Sequence, residues 1–465
     1  MYRLAYDGDV IPHTRTGMNN IKGIPYSQVV FDKDGRRQNT PSIPNGTTDL
    51  IVISHGWNNT AAAAEDLYTK LFSNFVAVTA GDHTIGARKI TIIGVIWPSK
   101  KFDDLMTQLE GHGKSPGGAK SLSAADQAQA ESAMLEAISM AAPIFDDSGD
   151  DQRIARLREL VPHLEDDPKS QEEFVNVLRE LIDPANQHED QRSSEDSSDI
   201  FFEGQPALIF NNASQSVPAS AAAQSDPNET QTEETAPTDQ RGGAKDFAGF
   251  FSKPANAVTN LLNLGTYFEM KQRAGTVGKN GVAPLIDELS SEVQQIHLVG
   301  HSFGGRVVTA AAANSTTKKL RSMSLLQAAF SQNGFSKVRQ GFFRSVISGR
   351  RVSGPILVTN TKKDLSVGLA YPAASRISGD AASAFGGPDD PFGGIGSNGA
   401  QQMEPGEIAK SAITLEAVDF KYKWEPGRIH NLKDDRFIVD PNGGDAHGWV
   451  FVPQVAWAIS RAVVG

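Results

Sequence analysis

The chain has 465 residues, 39% of them hydrophobic, with no cysteine and a formal net charge of −11 at pH 7. That length points to one large domain with an insertion or to two domains, and the missing cysteines exclude a disulfide framework, a thiol nucleophile and a cysteine-based zinc site. The negative charge argues against nucleic acid or an anionic membrane surface as an electrostatic partner, while hydrophobic contact with a lipid surface stays compatible with it.

The opening residues, MYRLAYDGDVIPHTRTGMNN, show no apolar stretch behind a basic start, so no secretory signal is expected. No later stretch is apolar over the length that spans a bilayer. The expectation is a soluble, cytoplasmic protein; export that reads no N-terminal signal is compatible with the same residues. DLIVIS (49–54) is a short β-branched run between turn-rich segments, which predicts a strand buried on both faces of a parallel sheet. Leu67, Leu71 and Phe75 at four-residue spacing predict a helix after it, and ITIIGVIW (90–97) a second strand closed by Pro98. The alternation then stops until about residue 264.

Within that stretch Ser123 and Asp126 resemble the start of a helix running to about Met140. Shorter helices are predicted through Ile154, Leu157 and Leu160 and through Phe174, Leu178 and Leu181. From Glu189 to Asp239 there are eleven acidic residues against one basic residue, Arg192. Such composition cannot offset its ordering entropy by burial, so disorder is expected over about 186–245. FFEGQPALIF (201–210) is an apolar island within it, expected to dock on the body. Phe247, Phe251, Val258, Leu261, Leu262 and Phe268 fall near helical spacing, either as core packing or as a lid over a cleft.

Further strands are predicted at 296–300, 322–330, 354–360 and 412–420 (AITLEAVDF), with helices at 306–320 and 453–463. Strands alternating with helices predict an α/β fold with a doubly wound, mostly parallel sheet. Residues 1–100 and 265–465 would form the core and 101–264 a largely helical cap or lid.

G-x-S-x-G occurs twice, at Gly113–Gly117 (GKSPG) and at Gly300–Gly304 (GHSFG). A nucleophilic serine of this architecture sits on a tight turn between a buried strand and a helix, with glycines where a Cβ would clash. IHLVG precedes Ser302 and RVVTAAAA follows it, whereas Ser115 has neither flank. The GHGKS at 111–115 fails as a phosphate loop because Gln108 stands where the first glycine belongs. Chain order in this fold runs serine, acid, histidine. His447, in the glycine-rich loop before the last helix, is the favoured base, with His430 as the alternative. Asp364, just after the strand GPILVTN, is the favoured acid; Asp380, Asp389, Asp390 and Asp445 are rivals, Asp445 standing too near His447 in sequence to hold its ring. The oxyanion needs two backbone N–H donors, assigned to Phe303 and to Trp57, with Gly56 allowing close approach and His55 anchoring the loop by hydrogen bonds. The loop GGPDDPFGGIGSNGAQ (386–401) suggests a tight turn at the cleft. Asp389 and Asp390 match no calcium-loop spacing, and no metal is assigned.

HGWNNT, VIWPSK, TYFEMKQRAGTVGKNG, HLVGHSFGGR, VTNTKKDLSVG and AHGWVF together resemble a bacterial serine hydrolase of the α/β-hydrolase superfamily, lipase-like in its HGW and GHSFGG elements. The similarity covers roughly residues 49–100, 265–370 and 412–465. It implies an acyl-enzyme on Ser302, ester-type acyl transfer and no cofactor. The expected activity is hydrolysis of lipid or other hydrophobic esters. The alternatives are an interaction protein that binds a partner through its acidic insertion, and a peptidase of the same fold.

Overall fold

A computed structural model describes residues 19–57, 59–99, 124–183, 198–215, 253–367 and 393–465. Eight strands form one sheet: β1 (Asn19–Ile21), β2 (Ile24–Val30), β3 (Asp49–Ser54), β4 (Ile90–Ile96), β5 (Gln295–His301), β6 (Leu320–Leu326), β7 (Ile356–Asn360) and β8 (Ile429–Lys433). Their spatial order is β1-β2-β4-β3-β5-β6-β7-β8. Only the β1–β2 pair is antiparallel. The longer helices are α1 (Ala61–Val78), α2 (Ala124–Ala141), α3 (Asp150–Leu160), α4 (Pro168–Ile182), α5 (Pro206–Gln215), α6 (Lys253–Thr276), α7 (Ala283–Leu289), α8 (Phe303–Asn314) and α9 (Pro453–Val464).

The central strands are buried on both faces because their neighbours are parallel and helices cover each side. In β3, Ile51 and Ile53 face α1 and α9, with Leu71, Phe72, Ile459 and Val463. Leu50 and Val52 face the other way, into a core shared with α6, α8 and the helices of the insertion. The chain leaves β3 towards β4 on one side and leaves the adjacent β5 towards β6 on the other. Loops diverging from neighbouring strands open a crevice at their carboxyl ends, where ligands of α/β proteins bind.

The insertion packs as part of the body. Asp167 caps α4 by accepting Lys169 N–H and Ser170 N–H (3.1 and 3.2 Å), with Pro168 at the first helical position. Phe174, Val175, Leu178 and Leu181 of α4 are fully buried, each worth ~1.5–3 kcal/mol of transfer free energy. The island 201–210 docks as expected, with Phe201, Ile209 and Phe210 buried. The 24-residue α6 is buried around nearly its whole circumference, so it lies between α4 and α8 rather than over the surface. Val258, Leu261, Leu262 and Phe268 are therefore core residues, and the division expected at residue 265 falls inside one continuous helix. Phe247, Phe251, Ser115 and the acidic run after Gln215 lie outside the described residues, as do Ser123, Asp380, Asp389 and Asp390.

AITLEAVDF forms no strand. Ala412 and Asp419 adopt φ of 52° and 73°, which breaks the extended run at both ends, and Ile413 and Phe420 are exposed. It adds only a two-bond pairing beside Lys433. The last strand is instead β8, which carries His430. The strand expected at 322–330 stops at Leu326, where Gln327 turns with φ 42°. Among the described residues no helix is long and apolar enough to cross a membrane.

Candidate active site

Ser302 occupies the single-residue turn between β5 and α8, with φ 55° and ψ −128°. A non-glycine residue rarely holds this conformation, and strain of order 1–3 kcal/mol persists only where the surroundings impose it. Here they do. Ser302 N–H donates to Leu326 O (3.1 Å), and Ser302 O accepts from Gly305 N–H and Ala329 N–H (2.9 and 3.0 Å). A Cβ on Gly300 would stand 2.4 Å from Gly304 O, and one on Gly304 would stand 2.1 Å from Ser54 O. The two flanking glycines thus let the helix turn back against its own strand and against the end of β3.

Gly56, in the loop after β3, lies directly against the serine: a Cβ there would be 2.4 Å from Ser302 Cβ and 2.9 Å from Ser302 Oγ. The Trp57 ring meets the Phe303 ring edge-on at 5.8 Å, and Tyr267 of α6 approaches the same Phe303 at 5.5 Å. Neither the Trp57 N–H nor the Phe303 N–H has a hydrogen-bond partner among the described residues. Phe303 N–H belongs to the unsatisfied first turn of α8.

His55 anchors this loop. It is fully buried, its Nε2 accepts Trp97 N–H (3.3 Å), and its Nδ1–H donates to Gly56 O (2.8 Å). The ring stacks on Trp97, whose indole N–H donates to His55 O (3.1 Å).

Asp364 and His447 come together from the loops after β7 and β8. His447 Nδ1 lies 2.9 Å from Asp364 Oδ2, and the Asp364 carboxylate is wholly shielded from solvent. Burial pushes the Asp364 carboxyl up from its ordinary range, against the downward pull of His447 and of the Val367 N–H (2.9 Å). Two further residues hold the histidine loop. His301, next to the serine, donates Nε2–H to His447 O (2.9 Å), and the two rings lie 4.9 Å apart. Asp445 accepts His447 N–H (3.0 Å), Leu365 N–H (2.8 Å), Ser366 N–H (3.2 Å) and the Ser366 hydroxyl. It thereby clasps the acid loop to the histidine loop. Its nearness to His447 in sequence, which disqualifies it as the ring's partner, suits it to this backbone role.

Comparison with protein-family models, curated proteins and solved structures gives no match.

The alternative base, His430, is engaged elsewhere. Its Nδ1 meets Ser411 O (3.1 Å) and its Nε2 accepts Glu425 N–H (3.0 Å). Of the glycine-rich loop, Gly393 to Ala400 are buried packing, and residues 386–392 lie outside the described residues. Gly396 lies against the Gln327 backbone, and Gly399, at φ 71°, makes room for Asn431. A cavity of about 910 Å³ lined by Lys22, Phe75, His83, Arg88 and Ile90 opens at the start of β4, the end of the sheet opposite Ser302. It plays no part in chemistry at the serine.

Burial holds the His55 imidazole down at about 4 and, with His447 beside it, the His301 imidazole at about 3. In the unfolded chain both would bind a proton near pH 6.5. The unfolded state therefore holds more protons as pH falls from about 6.5 to 4, and stability falls with it. Each histidine should contribute a slope of about 1.4 kcal/mol per pH unit in that window. Urea unfolding at pH 7, 6 and 5 measures it; stability that stays flat across the window contradicts the neutral, buried assignment.

Proposed function

We propose that the chain is a serine hydrolase of the α/β-hydrolase type that cleaves carboxylic esters through an acyl-enzyme on Ser302. The observation that carries this reading is the Asp364–His447 hydrogen bond poised beside a strained serine turn, with two backbone donors next to it that have no partner among the described residues. Because Nδ1 of His447 is committed to Asp364, Nε2 is the basic nitrogen. It takes the proton as Ser302 Oγ attacks the carbonyl carbon, and the negative charge passes to the carbonyl oxygen, held by Phe303 N–H and Trp57 N–H. Collapse expels the alkoxide, which receives the proton from His447. Water then repeats the sequence and frees the acid.

Trp57, half-buried in the loop whose Gly56 packs on Ser302 and edge-on to Phe303, leaves aromatic surface near the serine, which supports a hydrophobic acyl or alcohol group as substrate. Asp364→Asn tests the assignment. The amide leaves the geometry intact but favours the wrong imidazole tautomer, so kcat for a nitrophenyl ester should fall by about 10⁴ with KM little changed. A fall of less than tenfold would remove Asp364 from the mechanism.

A further inference from the structure

We propose that Asn59 is a positioning residue for the oxyanion: its carboxamide aims the Trp57 N–H. Asn59 Nδ2 donates to Gly56 O (3.2 Å) and to Trp57 O (3.0 Å). Gly56 O is the atom that His55 Nδ1–H also holds, at 2.8 Å. One carbonyl thus has two donors, from opposite ends of a five-residue loop. Ser99 completes the frame, its hydroxyl lying 3.2 Å from Asn59 O and 3.3 Å from His55 Nδ1.

The consequence follows from the planarity of the peptide. Carbonyl and N–H of a trans peptide point in opposite directions, so fixing Gly56 O towards Asn59 and His55 fixes the Trp57 N–H away from them. That N–H has no partner among the described residues, and the Gly56 Cα beside it packs on Ser302. A donor that must be in place before charge develops gains its effect from being held still, since no reorganisation then accompanies the reaction. His55 fixes one edge of the peptide; without Asn59 the plane is free to rock about that single bond.

The inference rests on the hydrolase reading, and its test separates the two. Asn59→Leu keeps the volume and removes the donor; Asn59→Ala needs no new volume and guards against misfolding of the leucine variant. A trifluoromethyl ketone reports the oxyanion directly, because its hemiketal with Ser302 carries that charge. Expected are a kcat lower by roughly 10- to 100-fold, a KM within about twofold of wild type, and a ketone Ki that rises by the same factor as kcat falls. A merely structural asparagine would leave Ki tracking KM instead. Active wild type with either folded variant unchanged in kcat and Ki overturns the role of Asn59 alone; inactive, ketone-insensitive wild type overturns the hydrolase reading with it.

Discussion

Ser302→Ala is expected to lower kcat on a hydrophobic nitrophenyl ester by about 10⁴–10⁶-fold while the protein stays folded. The residual rate would come from substrate binding and the oxyanion donors, which do not need the nucleophile. Ser302→Gly should be equally inactive but more stable than the alanine variant. Alanine keeps the Cβ and hence the strain of φ 55°; glycine removes it. Relief of ~1–3 kcal/mol of local strain, less ~0.4–1 kcal/mol for the greater freedom of glycine in the unfolded chain, leaves about 1 kcal/mol in favour of glycine. Thermal unfolding of the pair measures the difference. A glycine variant less stable than the alanine variant would mean that the turn stores no strain, and one reason for regarding Ser302 as functionally placed would go.

The second large effect is on the fold itself. Gly304→Ala would set a methyl 2.1 Å from Ser54 O and 2.5 Å from His55 O. Both are backbone atoms at the end of a central strand, so neither can swing aside as a side chain would. Either α8 lifts off the sheet or the end of β3 shifts, and the second movement drags Gly56 and Trp57 with it. Over-packing of a dense core costs ~1–3 kcal/mol when side chains can adjust; with backbone on both sides the cost should be about 3 kcal/mol or more. Gly86→Ala is the control, since a Cβ there meets nothing within 4 Å. Urea unfolding should show Gly304→Ala strongly destabilised and Gly86→Ala near wild type. Equal stabilities would mean that α8 does not press on β3 as described.

The same contacts explain how much of the molecule was legible in its sequence. DLIVIS and ITIIGVI announce themselves because strands buried on both faces are apolar without interruption. IHNLK does not, since β8 carries His430 and Asn431 into side-chain hydrogen bonds rather than apolar packing. IPYSQVV is missed because β2 is only partly buried and carries a proline at its second position. AITLEAVDF misleads in the opposite sense: its apolar residues alternate as in a strand, yet two left-handed residues break it. The division expected at residue 265 falls within α6 because this helix packs on insertion and core at once, burying apolar and polar side chains alike and leaving no break to read.

At the site, chain order and flanking elements lead to Ser302, Asp364 and His447, and the structure brings Asp364 and His447 together while committing His430 elsewhere. Asn59, Ser99, His301 and Asp445 carry no such signal. Each acts on a backbone group, and a backbone hydrogen bond between loops leaves no pattern in the letters of either one. The one available hint is local: polar residues crowd within a few positions of His55 and of His447, where a bare turn would need none.

The most direct measurement is labelling of the folded 465-residue chain with a fluorophosphonate, followed by fragmentation of the tryptic peptide spanning 280–306, which contains Ser290, Ser291 and Ser302. An activated serine displaces fluoride and forms a stable phosphonyl ester; an ordinary one does not. The predicted result is a single adduct on Ser302, lost when the protein is unfolded before labelling. An adduct on another serine, Ser115 included, or none at all on the folded chain would contradict the assignment of Ser302 as the nucleophile.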